Sequence, residues 1–268
     1  MPDISVVMPN YNGRLFVEAA VASVLAQTLT DFELIVADDA SSDGSPALVA
    51  TLARDDPRIR LLRSDVNTGP AGARNRGLAE ARGRWVAVVD NDDLLHPERL
   101  ALLVAAADAA GADIAADSLL IFDDDRARPP RLLMPCPANA RSVQIGLAEY
   151  IRSNALRSAG LPLGYLKPIF RAMMLQDTAI RYDPSLRTAE NYDFVARLLL
   201  AGYRFLAFPQ LTYFYRKHSA SVSHRLGAAA LSAVAANSHA FRATVPGVEG
   251  PGVEGPGAEG HTRELTWF

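Results

Sequence analysis

One cysteine in 268 residues, Cys136, leaves no partner for an intrachain disulfide and no thiolate set for a zinc site. Long apolar runs are equally scarce. Nowhere does the chain approach the roughly twenty consecutive apolar residues that a membrane-spanning helix needs, and the Ala-rich stretch Leu100–Ala112 is broken by Asp108. Charge is nearly balanced, at a formal net −3, so the footprint of a general nucleic-acid binder is missing. Met1-Pro2-Asp3 leads straight into an apolar segment, and no signal peptide is expected. These absences predict a soluble, cytoplasmic protein, with peripheral attachment at the inner face of a membrane left open. Ordinary hydrophobic content, 49%, allows a substantial core in a chain of this length.

The first hundred residues alternate. Short apolar strands are predicted at Ile4–Pro9, Phe32–Ala37, Ile59–Leu62 and Trp85–Val89, and helical spacing at Leu15–Gln27, Pro46–Arg54, Ala73–Ala81 and Pro97–Ala110. Strands alternating with helices imply a doubly wound, mainly parallel sheet flanked by helices. The second half is less regular. It predicts a strand at Ile114–Phe122, a structureless Pro-rich excursion over Asp123–Ala140 and a short helix at Leu147–Asn154. A strand or extended segment follows at Lys167–Phe170, then a helix over Ala189–Ala201 capped by Thr188, and two strands at Phe205–Phe208 and Leu211–Arg216. An Ala-rich helix is expected within 227–244. Beyond Val245 a Pro-Gly-Val-Glu-Gly repeat cannot bury a core and is expected to be disordered.

Three strand ends deliver polar groups to one edge of the predicted sheet: Asn10-Tyr11-Asn12, Asp38-Asp39 and Asp90-Asn91-Asp92-Asp93. Open α/β sheets bind ligands at that edge. Clustered carboxylates repel one another unless a cation or polar partners intervene, and hard oxygen ligands suit Mn²⁺ or Mg²⁺ with a diphosphate. The same residues also suit solvated turns and helix caps. Tyr11 offers a face for a nucleobase, Asp39 an acceptor for a ring N–H, and Arg74, early in a helix behind a Gly-rich loop, a partner for phosphate.

Together these stretches resemble the family-2 glycosyltransferases. The resemblance rests on Ile4–Asn12 with Asp38–Ser45, on Asn67–Gly77 (NTGPAGARNRG), and on Trp85–Leu100 with its Asp-x-Asp-Asp and Pro97-Glu98-Arg99-Leu100. It is close over the first hundred residues and looser to about Ser223. It implies a GT-A fold of Rossmann-like type with a smaller mixed sheet on the acceptor side. It also implies inverting transfer of a sugar from a nucleotide diphosphate, most commonly a UDP-sugar, to a glycan or lipid-linked acceptor. In that reading residues 1–100 are the donor half and 101–226 the acceptor half. Pro9, Tyr11, Asn12, Asp39, Asn67, Gly69 and Arg74 would surround the nucleotide, with Asp90 and Asn91 facing ribose and sugar. Asp92 would hold the metal, with His218 of the segment Tyr215–Ser223 reaching the metal or the diphosphate.

One departure matters. The family places its catalytic base as the Asp of a Glu-Asp pair opening a late helix, and here that pair reads Glu190-Asn191. An amide cannot accept the proton, so Glu190 or Asp193 is expected to substitute; otherwise the protein binds donor with weak or lost transfer. A nucleotidyltransferase would want a Gly-rich loop with lysine near the N-terminus, which Met8–Arg14 lacks.

Overall fold

The computed structural model describes residues 1–125, 128–154 and 162–219. The expected alternation opens it: β1 (Ile4–Asn10), α1 (Val17–Leu25), β2 (Phe32–Asp39), α2 (Ser45–Asp55), β3 (Ile59–Ser64), α3 (Gly69–Glu80) and β4 (Trp85–Val88). All four strands are parallel, with β1 between β2 and β4 and β3 outside β2. Every residue of β1 and β2 is buried. Covering on both faces is why they read as unbroken apolar runs rather than alternating ones. Helix α3 lies hard against the sheet: a Cβ on Gly77 would stand 2.3 Å from a Val7 methyl, so only glycine permits this approach.

After β4 the chain makes the Asp90–Asp93 turn into β5 (Leu94–Leu95) and α4 (Arg99–Ala110), which Gly111 ends at φ +64°. Then come β6 (Ile114–Asp123), β7 (Arg131–Leu133), β8 (Val143–Ile145), α5 (Leu147–Ser153), β9 (Ile169–Arg171), α6 (Ala172–Asp177), α7 (Glu190–Leu200) and β10 (Phe205–Lys217). The family's α/β fold is present, but the smaller acceptor-side sheet is not separate. Strand β9 pairs antiparallel with both β4 and β6, so one sheet runs β3-β2-β1-β4-β9-β6-β10-β5. Strand β7 lies on β6, and β8 on β10.

Three other expectations change. The stretch 123–140 holds a strand, β7, because Arg131–Leu133 finds the free edge of β6. The two late strands are one: β10 is continuous through a bulge around Pro209, where the register slips between Ala207 and Leu211. Proline lacks the N–H a ladder needs, so the bulge falls there. Thr188 does not cap α7; Ala189, at φ 63°, precedes the first turn, and no side chain caps it. The helix expected within 227–244 and the repeat tail 245–268 lie outside the described residues. Among the described residues no helix is long and apolar enough to cross a membrane.

Candidate active site

The β2 end is built from donors. Asp39 receives Thr68 N–H at 3.0 Å, Gly69 N–H at 2.8 Å, the Thr68 hydroxyl at 2.9 Å and the Arg76 guanidinium at 2.8 Å. Gly69 turns its amide inward at φ +79°, a conformation other residues rarely adopt. Burial works against the charge, yet these donors hold the Asp39 carboxyl below its usual range. Beside it, Asn10 donates to Asp38 at 2.7 Å and accepts from Asn91 at 2.7 Å, tying the ends of β1, β2 and β4 together. Asn12, at φ 50°, hydrogen-bonds Ser41 and Ser42 and braces the loop rather than lining the cavity. Tyr11 is 56% exposed and does line it.

The β4 end is organised by charge. Asp90 accepts from Arg74 at 2.7 Å through one oxygen and from Lys167 through the other. Against the effect of burial, Lys167 and Arg74 hold Asp90 far below the ordinary carboxylate range. Burial and the Asp90 charge push Asp92 upward, and His218, whose Nε2 stands 2.9 Å from Asp92 Oδ2, offsets only part of that. The imidazole packs against Phe16 at 4.4 Å between ring centroids. Asp93 is turned inward: it accepts from the Tyr213 hydroxyl at 2.6 Å and from Arg216 N–H at 2.8 Å. Burial and Asp92 raise its carboxyl well above the usual value.

At the start of α7, Glu190 Oε1 accepts from Arg74. Arg74 is therefore occupied by two carboxylates rather than offered whole to a phosphate. Asn191 faces the same cavity as Glu190, whereas Asp193 is paired with Arg197 on the helix and does not line that cavity.

A cavity of about 540 Å³ joins these ends. Of the residues singled out from sequence, Pro9, Tyr11, Asp39, Asn67, Gly69, Arg74, Asp90, Asn91, Asp92, Glu190 and Asn191 line it, and His218 reaches its edge through Asp92. Sequence reasoning missed Lys167, Arg187 and Tyr165 in the lining. Nothing local marks Lys167; its role comes from β9 running beside β4, which no spacing reports.

The sequence pattern of glycosyl transferase family 2 matches residues 5–161. The succinoglycan biosynthesis protein ExoO of Rhizobium meliloti (strain 1021) is 40% identical over 241 residues, covering 90% of this chain and 68% of ExoO. The Escherichia coli UDP-Glc:alpha-D-GlcNAc-diphosphoundecaprenol beta-1,3-glucosyltransferase WfgD is 40% identical over 102 residues, covering 38% of this chain and 40% of WfgD. Among solved structures, Staphylococcus aureus TarS 1-349 in complex with UDP superposes with a TM-score of 0.67 at 21% identity, covering 89% of this chain and 65% of that one. The chain thus spans about two thirds of the length of ExoO and of that TarS fragment. The match to the pattern over more than half its length, with the GT-A-like sheet beneath it, means that the chain belongs to glycosyl transferase family 2.

Proposed function

We propose that the chain transfers a sugar from a nucleotide diphosphate, a UDP-sugar, to a glycan or lipid-linked acceptor in polysaccharide synthesis, with inversion at the anomeric carbon. The observation that carries this reading is one cavity lined together by Tyr11, Asn67, Asp92, Glu190 and Asn191. It offers an aromatic face, amide groups, the Asp92 carboxylate beside the His218 imidazole, and the Glu190 carboxylate. Asp92 and His218 suit Mn²⁺ or Mg²⁺ as one oxygen and one nitrogen ligand, leaving the other positions to diphosphate oxygens and water. Such a cation, when bound, offsets the charge that builds on the leaving diphosphate.

The acceptor hydroxyl must lose its proton. Arg74 engages Glu190 Oε1, and Oε2 makes no hydrogen bond among the described residues, so Glu190 Oε2 is the base in this reading. Asn191 orients the hydroxyl. Asp193, turned to Arg197, supports the helix. The second reading, donor binding with weak transfer, is favoured by Asn191 itself and by the hold of Arg74 on Glu190.

Calorimetric titration of uridine, guanosine and thymidine diphosphates, with Mn²⁺ and with chelator, is the test. UDP is expected to bind tightly and only with the cation, and Glu190→Gln to abolish transfer while keeping that binding. If Asn191→Asp raises turnover and Glu190→Gln costs little, the second reading replaces the first. No nucleotide binding under any condition overturns both.

A further inference from the structure

Among the described residues the cations lining the cavity are Arg74, Lys167 and Arg187, and the first two are already spent. Arg74 holds Asp90 and Glu190, and Lys167 holds Asp90. Arg187 pairs with no carboxylate among the described residues. Its side chain is exposed, and its guanidinium makes one hydrogen bond, from Nη1 to Asn67 Oδ1 at 3.3 Å. Most of its N–H groups are therefore unused.

Neighbours at the β2 end set its place. Asn67 Nδ2 donates to Asp39 O at 3.1 Å, which turns Oδ1 toward Arg187. Gly69 clears the space: a Cβ there would stand 2.6 Å from Arg187 Nη1 and 3.4 Å from its Cδ. The guanidinium thus lies against the bare backbone of the turn whose amides hold Asp39. Other polar groups here are engaged. The Asp39 carboxylate is taken up by Thr68, Gly69 and Arg76, while Asn10 donates to Asp38 and Ser45 and accepts from Asn91. A ligand that brings carbonyl oxygen to this end meets Arg187 as the charged donor with capacity left.

Position also decides which part of a nucleotide it would meet. The Asp92–His218 pair, which suits a cation and a diphosphate, lies at the β4 end, with β1 between it and the β2 end. Strands about 4.8 Å apart put roughly 10 Å between the two ends. A diphosphate at Asp92 therefore leaves Arg187 to the base.

We propose that Arg187 determines donor specificity: its guanidinium donates to the carbonyl at ring position 4 of uracil, and so selects uridine over cytidine nucleotides. Cytosine carries an amino group at that position, and N–H donors facing N–H donors repel. Asn67 is the positioning residue, holding the guanidinium through its amide oxygen. The proposal rests on the cavity being the donor site.

The test is calorimetric titration of the whole chain with UDP and with CDP, each at saturating Mn²⁺. Wild type should bind UDP at least about tenfold more tightly than CDP. Arg187→Met should weaken UDP by about tenfold or more, as loss of a charged donor implies, and leave CDP within about twofold. The preference then collapses. Asn67→Ala should move UDP in the same direction by a smaller factor. The melting temperature of Arg187→Met should stay within about 2 °C of wild type, since an exposed side chain with one long hydrogen bond adds little to folding. Equal losses for UDP and CDP would put the guanidinium on the phosphates and overturn the proposal. So would wild-type UDP affinity in Arg187→Met, or a wild type that does not distinguish the two nucleotides. In each of these cases the donor reading stands. A wild type that binds no nucleotide overturns the donor reading and this proposal together.

Discussion

The ends of β2 and β4 flank that of β1 in the same sheet, yet they handle negative charge in opposite ways. At the β2 end, Asp39 is surrounded by backbone amides, a hydroxyl and a guanidinium from residues 68–76, close by in the chain. At the β4 end, Asp90 is neutralised by Arg74 of α3, 16 residues away, and by Lys167, 77 residues away, and Asp92 is left beside Asp90 with an imidazole as its main counterweight. One end is complete within the protein. The other is electrostatically short of a cation. A fixed, pre-satisfied carboxylate positions without moving, whereas an under-compensated one gains most when a ligand brings charge of its own.

Breaking the compensation of Asp90 should have the largest effect. Arg74→Met leaves Asp90 and Glu190 buried with one cation fewer, and should cost about 3–5 kcal/mol in urea unfolding. A loss below about 1 kcal/mol would mean that Lys167 suffices for Asp90 and that the two ends differ less than their geometry implies.

Asp39→Asn comes next, at about 1–3 kcal/mol, because an NH₂ group then faces N–H donors. Its pH signature sharpens the contrast. The folded pKa of Asp39 lies below its unfolded value, so the contribution is full above the unfolded pKa and is lost as pH falls through the folded one. Wild-type stability should therefore drop below about pH 4, and the variant should show a shallower acid loss in the same unfolding series.

Asp92→Asn should be the smallest change and of opposite sign. Burial and Asp90 raise the Asp92 pKa, so its ionised form opposes folding near neutrality. Neutralising it should stabilise the cation-free protein by about 1 kcal/mol, or roughly 2–4 °C in a melting scan. The same variant should lose the Mn²⁺-dependent tightening of UDP. Destabilisation of the cation-free protein would show that Asp92 is compensated as fully as Asp39.

Much of the β2 side was legible in the sequence because its cues are local. Buried strands read as continuous apolar runs, and the Gly69 turn and the Asp38-Asp39 strand end fall close to their partners in the chain. The β4 side was legible only as acids in a row. What compensates them comes from Arg74, 16 residues away, and above all from Lys167 and His218, 77 and 126 residues away from their partners. No periodicity encodes such pairings. The short strand β7 escaped for the same reason: three residues carry almost no pattern, and pairing with β6 decides it. Thr188 failed as a cap because Ala189 in the left-handed region redirects the chain before the first helical turn.

The turn from Asp90 to Asp93 is gripped by α3, β9 and the last residues of β10, which enter the sheet from both ends of the chain. A ribosome-bound fragment lacking β10 has no Tyr213 for Asp93 and no His218 for Asp92, so it holds the turn only at Asp90 and Asn91. Such wide sequence separation slows the closing step of folding. Donor binding, followed in time after dilution from denaturant, would therefore report the arrival of the final strand rather than the collapse of the first hundred residues.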